Sequence, residues 1–195
     1  MPSNSPAMFN HLRIEVSPSP ESNDHQARIL IDGEDWLWRA GAIGLDPPDL
    51  LKELAKQQGP ITVGRCTCGC LGCGDVEVDV QRHGTHVEWI ATGGALLQFG
   101  AAQYDQEVVR FRDDHSWETL GRRVEREVGD VFSGCRTAKG LIFEWASTRI
   151  KEGLIHLSFT RSGIQDLRNF AWDGKSIESA LNQARILRTR WFGGR

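Results

Sequence analysis

The stretch Arg65–Ala91, RCTCGCLGCGDVEVDVQRHGTHVEWIA, decides how this chain is read. Its second half alternates with a period of two: Val76, Val78 and Val80 point one way, Glu77 and Asp79 the other. Arg82–Thr85, with His83-Gly84 at its centre, turns the chain back, and Val87, Trp89 and Ala91 resume the alternation. That pattern predicts an antiparallel hairpin with one buried face and one wet face. The first half is a glycine-punctuated turn that carries four cysteines in eight residues, Cys66, Cys68, Cys70 and Cys73.

The flanking segments extend the same architecture. Upstream, Ile61–Arg65 reads as a strand entering the turn. Before it, Asp46 caps a helix with Pro47 at its first position, Leu50, Leu51, Leu54 and Ala55 form its apolar stripe, and Gly59-Pro60 stops it. His11–Ser17 and Ala27–Asp32 alternate and are expected to pair. Downstream of Gly93-Gly94, Tyr104–Arg112 (YDQEVVRFR) reads as another strand on its β-branched and aromatic content. Ser116 is the expected cap of a helix through Trp117, Leu120, Val124 and Val128, closed by Gly129. Leu141–Ile150 and Leu154–Arg161 form a second hairpin about Lys151-Glu152-Gly153. Asn169–Trp172 adds a strand, and Ser176 caps a last helix with Ile177, Leu181, Ala184 and Leu187 on one side. Strands joined mainly by hairpins imply an α+β fold with largely antiparallel sheets and about three helices.

The net charge of −3 conceals an asymmetry: residues 1–135 hold 12 basic against 21 acidic side chains, and residues 136–195 hold 11 against 5. The expected organisation is one α+β domain over 1–195. A division into an acidic part with the cysteine turn (11–130) and a basic hairpin-helix part (136–195) is equally permitted. No apolar run approaches the ~20 residues of a membrane helix, and MPSNSPAMFNHLR has neither a basic nor an apolar region of a secretory signal. The expectation is a cytoplasmic protein with reduced cysteines, in which metal binding outranks disulfides and Cys135 is a lone thiol.

Zinc takes four soft or borderline ligands at tetrahedral positions. Cys70-Leu-Gly-Cys73 has the two-residue gap of a zinc knuckle, Cys66-Thr-Cys68 closes the site from the strand end, and Gly69, Gly72 and Gly74 free the backbone to aim the thiols inward. A second ligand set is Cys66, Cys68 and Cys73 with His83 or His86 from the hairpin. The same residues also fit three plainer roles: small buried hydrophobes, a disulfide in an oxidising compartment, or a sharp connection. LIDGEDW, GLDPPDLL and CTCGCLGCGD together, within residues 27–91, resemble a group of uncharacterised bacterial proteins with an LIDG strand, a GLDP helix start and a CxCG…GC turn. Not all of that group carry a cysteine at the place of Cys70, so the resemblance implies Cys66, Cys68 and Cys73 as the core set. It implies no activity.

Other chemistry is thinner. His83 and His86, with Asp75, Glu77 and Asp79 nearby, could act as acid–base groups, but no spacing of nucleophile, base and orienter is present. Gly93-Gly94 lacks the lysine and context of a phosphate loop. Trp36 and Trp38 are candidates for a protein-docking surface. Arg185, Arg188, Arg190 and Arg195 beside Trp191 and Phe192 combine charge with rings, as single-stranded nucleic-acid binders do; a basic helix end complementing its own dipole is the plainer reading. Arg188–Gly194 (RTRWFGG), followed by Arg195, is similar to the tail of a ubiquitin-like precursor. The expectation drawn from these observations is a non-catalytic protein that binds another protein, as an adaptor, regulator or immunity-type neutraliser, with a zinc-bound cysteine turn as a staple. The alternatives are a zinc enzyme using the Cys/His cluster, a nucleic-acid binder through the basic end, and a ubiquitin-like modifier.

Overall fold

The computed structural model describes residues 9–19, 24–68 and 72–193. They form an α+β fold whose strands lie in three antiparallel sheets, and the chain divides into two compact units between Trp117 and Glu118. The charge asymmetry follows this division: residues 1–117 carry 9 basic and 17 acidic side chains, residues 118–195 carry 14 and 9.

The first unit contains β1 (Leu12–Pro18), β2 (His25–Ile31), β3 (Glu34–Asp35), α1 (Trp36–Arg39), β4 (Ala42–Gly44), α2 (Pro47–Leu54), β5 (Gly59–Cys66), β6 (Val76–Arg82), β7 (His86–Ala91), β8 (Leu96–Gly100) and α3 (Ala101–Asp113). Strands β1-β2-β3 make one sheet and β4-β5-β6-β7-β8 the other. The expected β1–β2 pairing is present, with Ile14 opposite Ile29. The expected hairpin is present too, with Val80 opposite Trp89. Their inward residues share one core, in which Ile14, Ile29, Val63, Val78, Val80, Val87, Trp89 and Phe99 are sealed from solvent. The two sheets touch where the Ala27 N–H donates to the Leu45 carbonyl at 2.8 Å. A Cβ on Gly44 would lie 1.9 Å from the Ala27 carbonyl oxygen, so only glycine permits that approach.

Residues 104–112 are not a strand. They lie within α3, which buries Tyr104, Glu107 and Phe111 at i, i+3 and i+7. Tyr104 and Phe111 join the core around Trp89 and Phe99, and that packing overrides the local β preference of Val108-Val109. The polar residues of α3 close an edge. Gln103 accepts from the Leu12 N–H at 3.3 Å and donates to the Leu12 carbonyl at 2.7 Å. Glu107 accepts from the Ile14 N–H at 2.6 Å, and Arg110 donates to the Ile14 carbonyl. Three side chains one helical turn apart thus occupy the place of a neighbouring strand along β1.

The second unit contains α4 (Leu120–Phe132), β9 (Ile142–Ser147), β10 (Leu154–Arg161), β11 (Ile164–Ala171) and α5 (Ile177–Phe192), with sheet order β11-β10-β9. Val124, Val128 and Phe132 of α4 and Ala180, Ala184 and Leu187 of α5 bury themselves with Ile155, Leu157 and Phe159 of β10. The hairpin about Lys151–Gly153 and the Ser176 cap are as expected; the Ser176 hydroxyl accepts from the Ser179 N–H at 3.1 Å. Helix α4 starts later than expected because Thr119 caps it, while Ser116 donates instead to Asp114. Gly129 lies inside α4, not at its end. With α1 and α3 the described residues hold five helices, against the three expected. One further difference is β11, which starts at Ile164 and not at Asn169.

Candidate functional site

Cys66 is the last residue of β5 and sits opposite Ala42 of β4. The chain leaves the strand there, passes Cys68, and returns through Gly72 at φ +80°. Both oxygens of the Asp75 carboxylate accept from the Gly72 N–H, at 3.0 and 3.1 Å, which folds the returning arm. Gly74 lets that arm pass close to the strand, since a Cβ there would meet the Cys66 Cβ at 3.3 Å. The result is that the sulfurs of Cys66, Cys68 and Cys73 lie within 4.8 Å of one another, close enough to hold a metal ion. Thiolates around a zinc at ~2.3 Å stand ~3.8 Å apart, so small side-chain rotations would bring three ligands of a four-ligand shell into place. Cys70 lies outside the described residues.

None of the three thiols is in a disulfide, and Cys68 and Cys73 are exposed. The Cys73 thiol is pushed up to about 11, first by its hydrogen bond to Cys68, then by Cys66 and the charge on both neighbours. A thiol so placed gives up its proton reluctantly, and a metal ion bound by the three sulfurs would have to displace it. Cys135 is a buried core residue of the second unit.

The alternative set, with His83 or His86 beside the cysteines, is not assembled. Cys66 and His83 mark opposite ends of the β5–β6 ladder, and the seven residues of β6 separate them by roughly 20 Å of strand. The histidines form a cluster of their own with Glu88, again with ligand atoms within 4.8 Å. His83 Nε2 lies 3.3 Å from Glu88 Oε2, and His86 Nε2 lies 3.2 Å from Glu88 Oε1. The two imidazoles stack at 4.5 Å, and Phe9 stacks on the outer face of His86 at 5.8 Å. Gln98 Nε2 donates to Glu88 Oε1 at 2.7 Å. That hydrogen bond first, then those from His86 and His83, hold the Glu88 carboxyl below its ordinary range against an opposing push from burial. Glu88 escaped the reading of the sequence, although His86-x-Glu88 places both residues on the same outer face of β7 by the period of two. Of the nearby acids, Asp79 accepts from Gln81 at 3.0 Å.

Trp36 and Trp38 separate. Trp36 tilts against Trp89 at 6.3 Å and is partly buried, whereas Trp38 is 72% exposed. Arg185, Arg188 and Arg190 are exposed along α5. Trp191 does not stand free beside them. Its ring packs on Phe132 at 6.1 Å and is covered by the Arg168 guanidinium at 5.1 Å, because the last turn of α5 closes the core of its unit. Phe192 is enclosed in the same way by Phe159 at 5.7 Å. Gly194 and Arg195, the end of the ubiquitin-like look-alike, lie outside the described residues. No described helix is long and apolar enough to cross a membrane. No family model matches the chain, and no curated protein or solved structure with significant similarity to it is found.

Proposed function

We propose that this chain binds zinc through Cys66, Cys68 and Cys73 and works by holding a protein partner, not by catalysing a reaction. One juxtaposition supports this reading most strongly. The Ala42↔Cys66 pairing joins the three-thiol turn to the segment that displays Trp38. Leu37, the neighbour of Trp38, is buried, and its side chain fills the space above Gly64, where a Cβ would lie 2.7 Å from it. A metal held at the cysteine turn therefore stiffens the end of the sheet from which an exposed tryptophan projects. Tryptophan in such a position is a common anchor of protein interfaces. The enzyme reading places His83, His86 or Asp75 near the cysteines; the two histidines sit at the far end of β6, and the Asp75 carboxylate is engaged by the Gly72 N–H.

The test is elemental analysis of protein purified without a metal-affinity tag, followed by partner capture from native extract with matched variants. One zinc per chain is expected, lost in Cys66→Ser/Cys73→Ser. A partner retained by the wild type is expected to be lost in Trp38→Ala, which keeps its zinc, and weakened in the double serine variant. Zinc content that survives the serine substitutions, or a partner indifferent to Trp38→Ala, overturns the proposal.

A further inference from the structure

We infer that His83, His86 and Glu88 form a second site for a borderline divalent transition metal, independent of the cysteine turn. The three ligands come from a hairpin built to converge them. His83 directly follows the outgoing strand β6, Gly84-Thr85 make the turn, and His86 and Glu88 lie on one face of β7. The His83 N–H donates to the His86 carbonyl at 2.9 Å, which ties the backbone across the turn. Both Nε2 atoms approach the same carboxylate, one at each oxygen, at 3.2 and 3.3 Å. These separations are long for a charge-assisted hydrogen bond. They match the ~3.3 Å edge of a tetrahedral shell of nitrogen and oxygen ligands at ~2.0 Å.

The surroundings are those of ligands already oriented. Gln98 fixes Glu88 at 2.7 Å. Thr85 Oγ1 lies 3.3 Å from His86 Nδ1, so the ring's second nitrogen is engaged and Nε2 is turned toward the carboxylate. Phe9 stacks on that ring at 5.8 Å. The exposure of the three side chains grades from 17% at Glu88 through 24% at His86 to 44% at His83, so the metal would face solvent with open coordination positions. Two imidazoles and one carboxylate suit zinc, nickel, copper or ferrous iron and do not suit calcium or magnesium.

Cobalt(II) is the probe that separates this site from the cysteines, because thiolate ligands add intense sulfur-to-cobalt charge-transfer absorption and an imidazole–carboxylate set does not. Two cobalt ions per wild-type chain are expected. Cys66→Ser/Cys73→Ser keeps one ion and loses the charge-transfer band; His83→Ala/His86→Ala keeps one ion and retains the band. Glu88→Gln, which preserves the side-chain shape and the acceptor for Gln98, weakens the second site, and Gln98→Leu weakens it roughly 10- to 100-fold. Far-ultraviolet circular dichroism confirms that each variant is folded. A single ion with charge transfer, unaffected by His83→Ala/His86→Ala or by Glu88→Gln, overturns this site and leaves the cysteine site standing. A single ion without charge transfer, lost on His83→Ala/His86→Ala, supports it even as the cysteine reading fails.

Discussion

Glu107→Ala tests the account of how α3 closes the sheet edge. Glu107 is 6% exposed, accepts from the Ile14 N–H at 2.6 Å and from Arg110 Nε at 2.8 Å, and lies 3.6 Å from an Arg13 guanidinium nitrogen. Truncation leaves the Ile14 N–H in a buried setting without an acceptor, a loss of about 1–3 kcal/mol. It also removes the anion facing Arg110, and breaking a buried pair costs about 3–5 kcal/mol in all. Arg110 keeps Asp114 and the Ile14 carbonyl, which places the total near the lower end, about 3 kcal/mol. Because the chain has two units, a single global midpoint is a poor measure. Hydrogen exchange of the β1 amides reads the opening directly, and it should accelerate roughly 100-fold. Glu107→Gln keeps an acceptor for Ile14 and should lose less. Burial pushes the Glu107 carboxyl up, but Arg110, the Ile14 N–H and Arg13 together hold it below its ordinary 4.5. Its contribution is therefore complete above about pH 4.5 and drains away as the pH falls through the lower folded value. The glutamine variant lacks that acid dependence. An acceleration of less than roughly fivefold in Glu107→Ala, which corresponds to under ~1 kcal/mol, refutes the edge-closing role.

Three further perturbations follow from the geometry. Gly44→Ala drives a methyl group into the Ala27 carbonyl and should remove more than ~3 kcal/mol from the first unit, read as lost protection in β2 and β4; a protected variant would mean that the sheets meet differently. In metal-free protein the Cys73 thiol, held up to about 11, should react slowly with iodoacetamide at pH 8, and added zinc should release protons measurable with an indicator dye. Arg168→Ala uncovers Trp191 and Phe192. It should red-shift the tryptophan emission and cost the second unit roughly 1 kcal/mol in urea unfolding.

The parts of the fold legible in the sequence are those in which one face is apolar and the period is two. Val76, Val78 and Val80 against Val87 and Trp89 specify both the hairpin and its register, and Leu12, Ile14, Ala27 and Ile29 do so for the first pair. Helix α3 was illegible because its buried positions mix Tyr104 and Phe111 with Glu107, and a carboxylate breaks the apolar stripe unless its partner strand is already in view. The start of α4 was displaced because Ser116 and Thr119 are both competent caps, and Asp114 occupies Ser116. At the candidate site, the spacing of Cys66, Cys68 and Cys73 revealed the thiol cluster, since a glycine-rich turn brings neighbours in sequence together in space. The histidines read as ligands although the strand that the sequence predicts between them and the cysteines, Val76–Arg82 in the fold, already carries them to the far end of the hairpin. The surroundings of Trp191 were not legible either, because Phe132 and Arg168, which converge on its ring, come from distant parts of the chain.

The closure of β1 by side chains also bears on self-association. A sheet edge sealed by another strand, or a barrel, has nothing left to offer a second chain. Here Gln103, Glu107 and Arg110 stand in for the missing strand at Leu12 and Ile14, and only while one helix is docked. Loosening α3 bares the outward N–H and C=O groups of an apolar strand, the template on which chains add edge to edge into larger assemblies. Acid below about pH 4.5 weakens the Glu107 contact and with it the docking of α3, so α3 is the element that stands between this edge and a second chain.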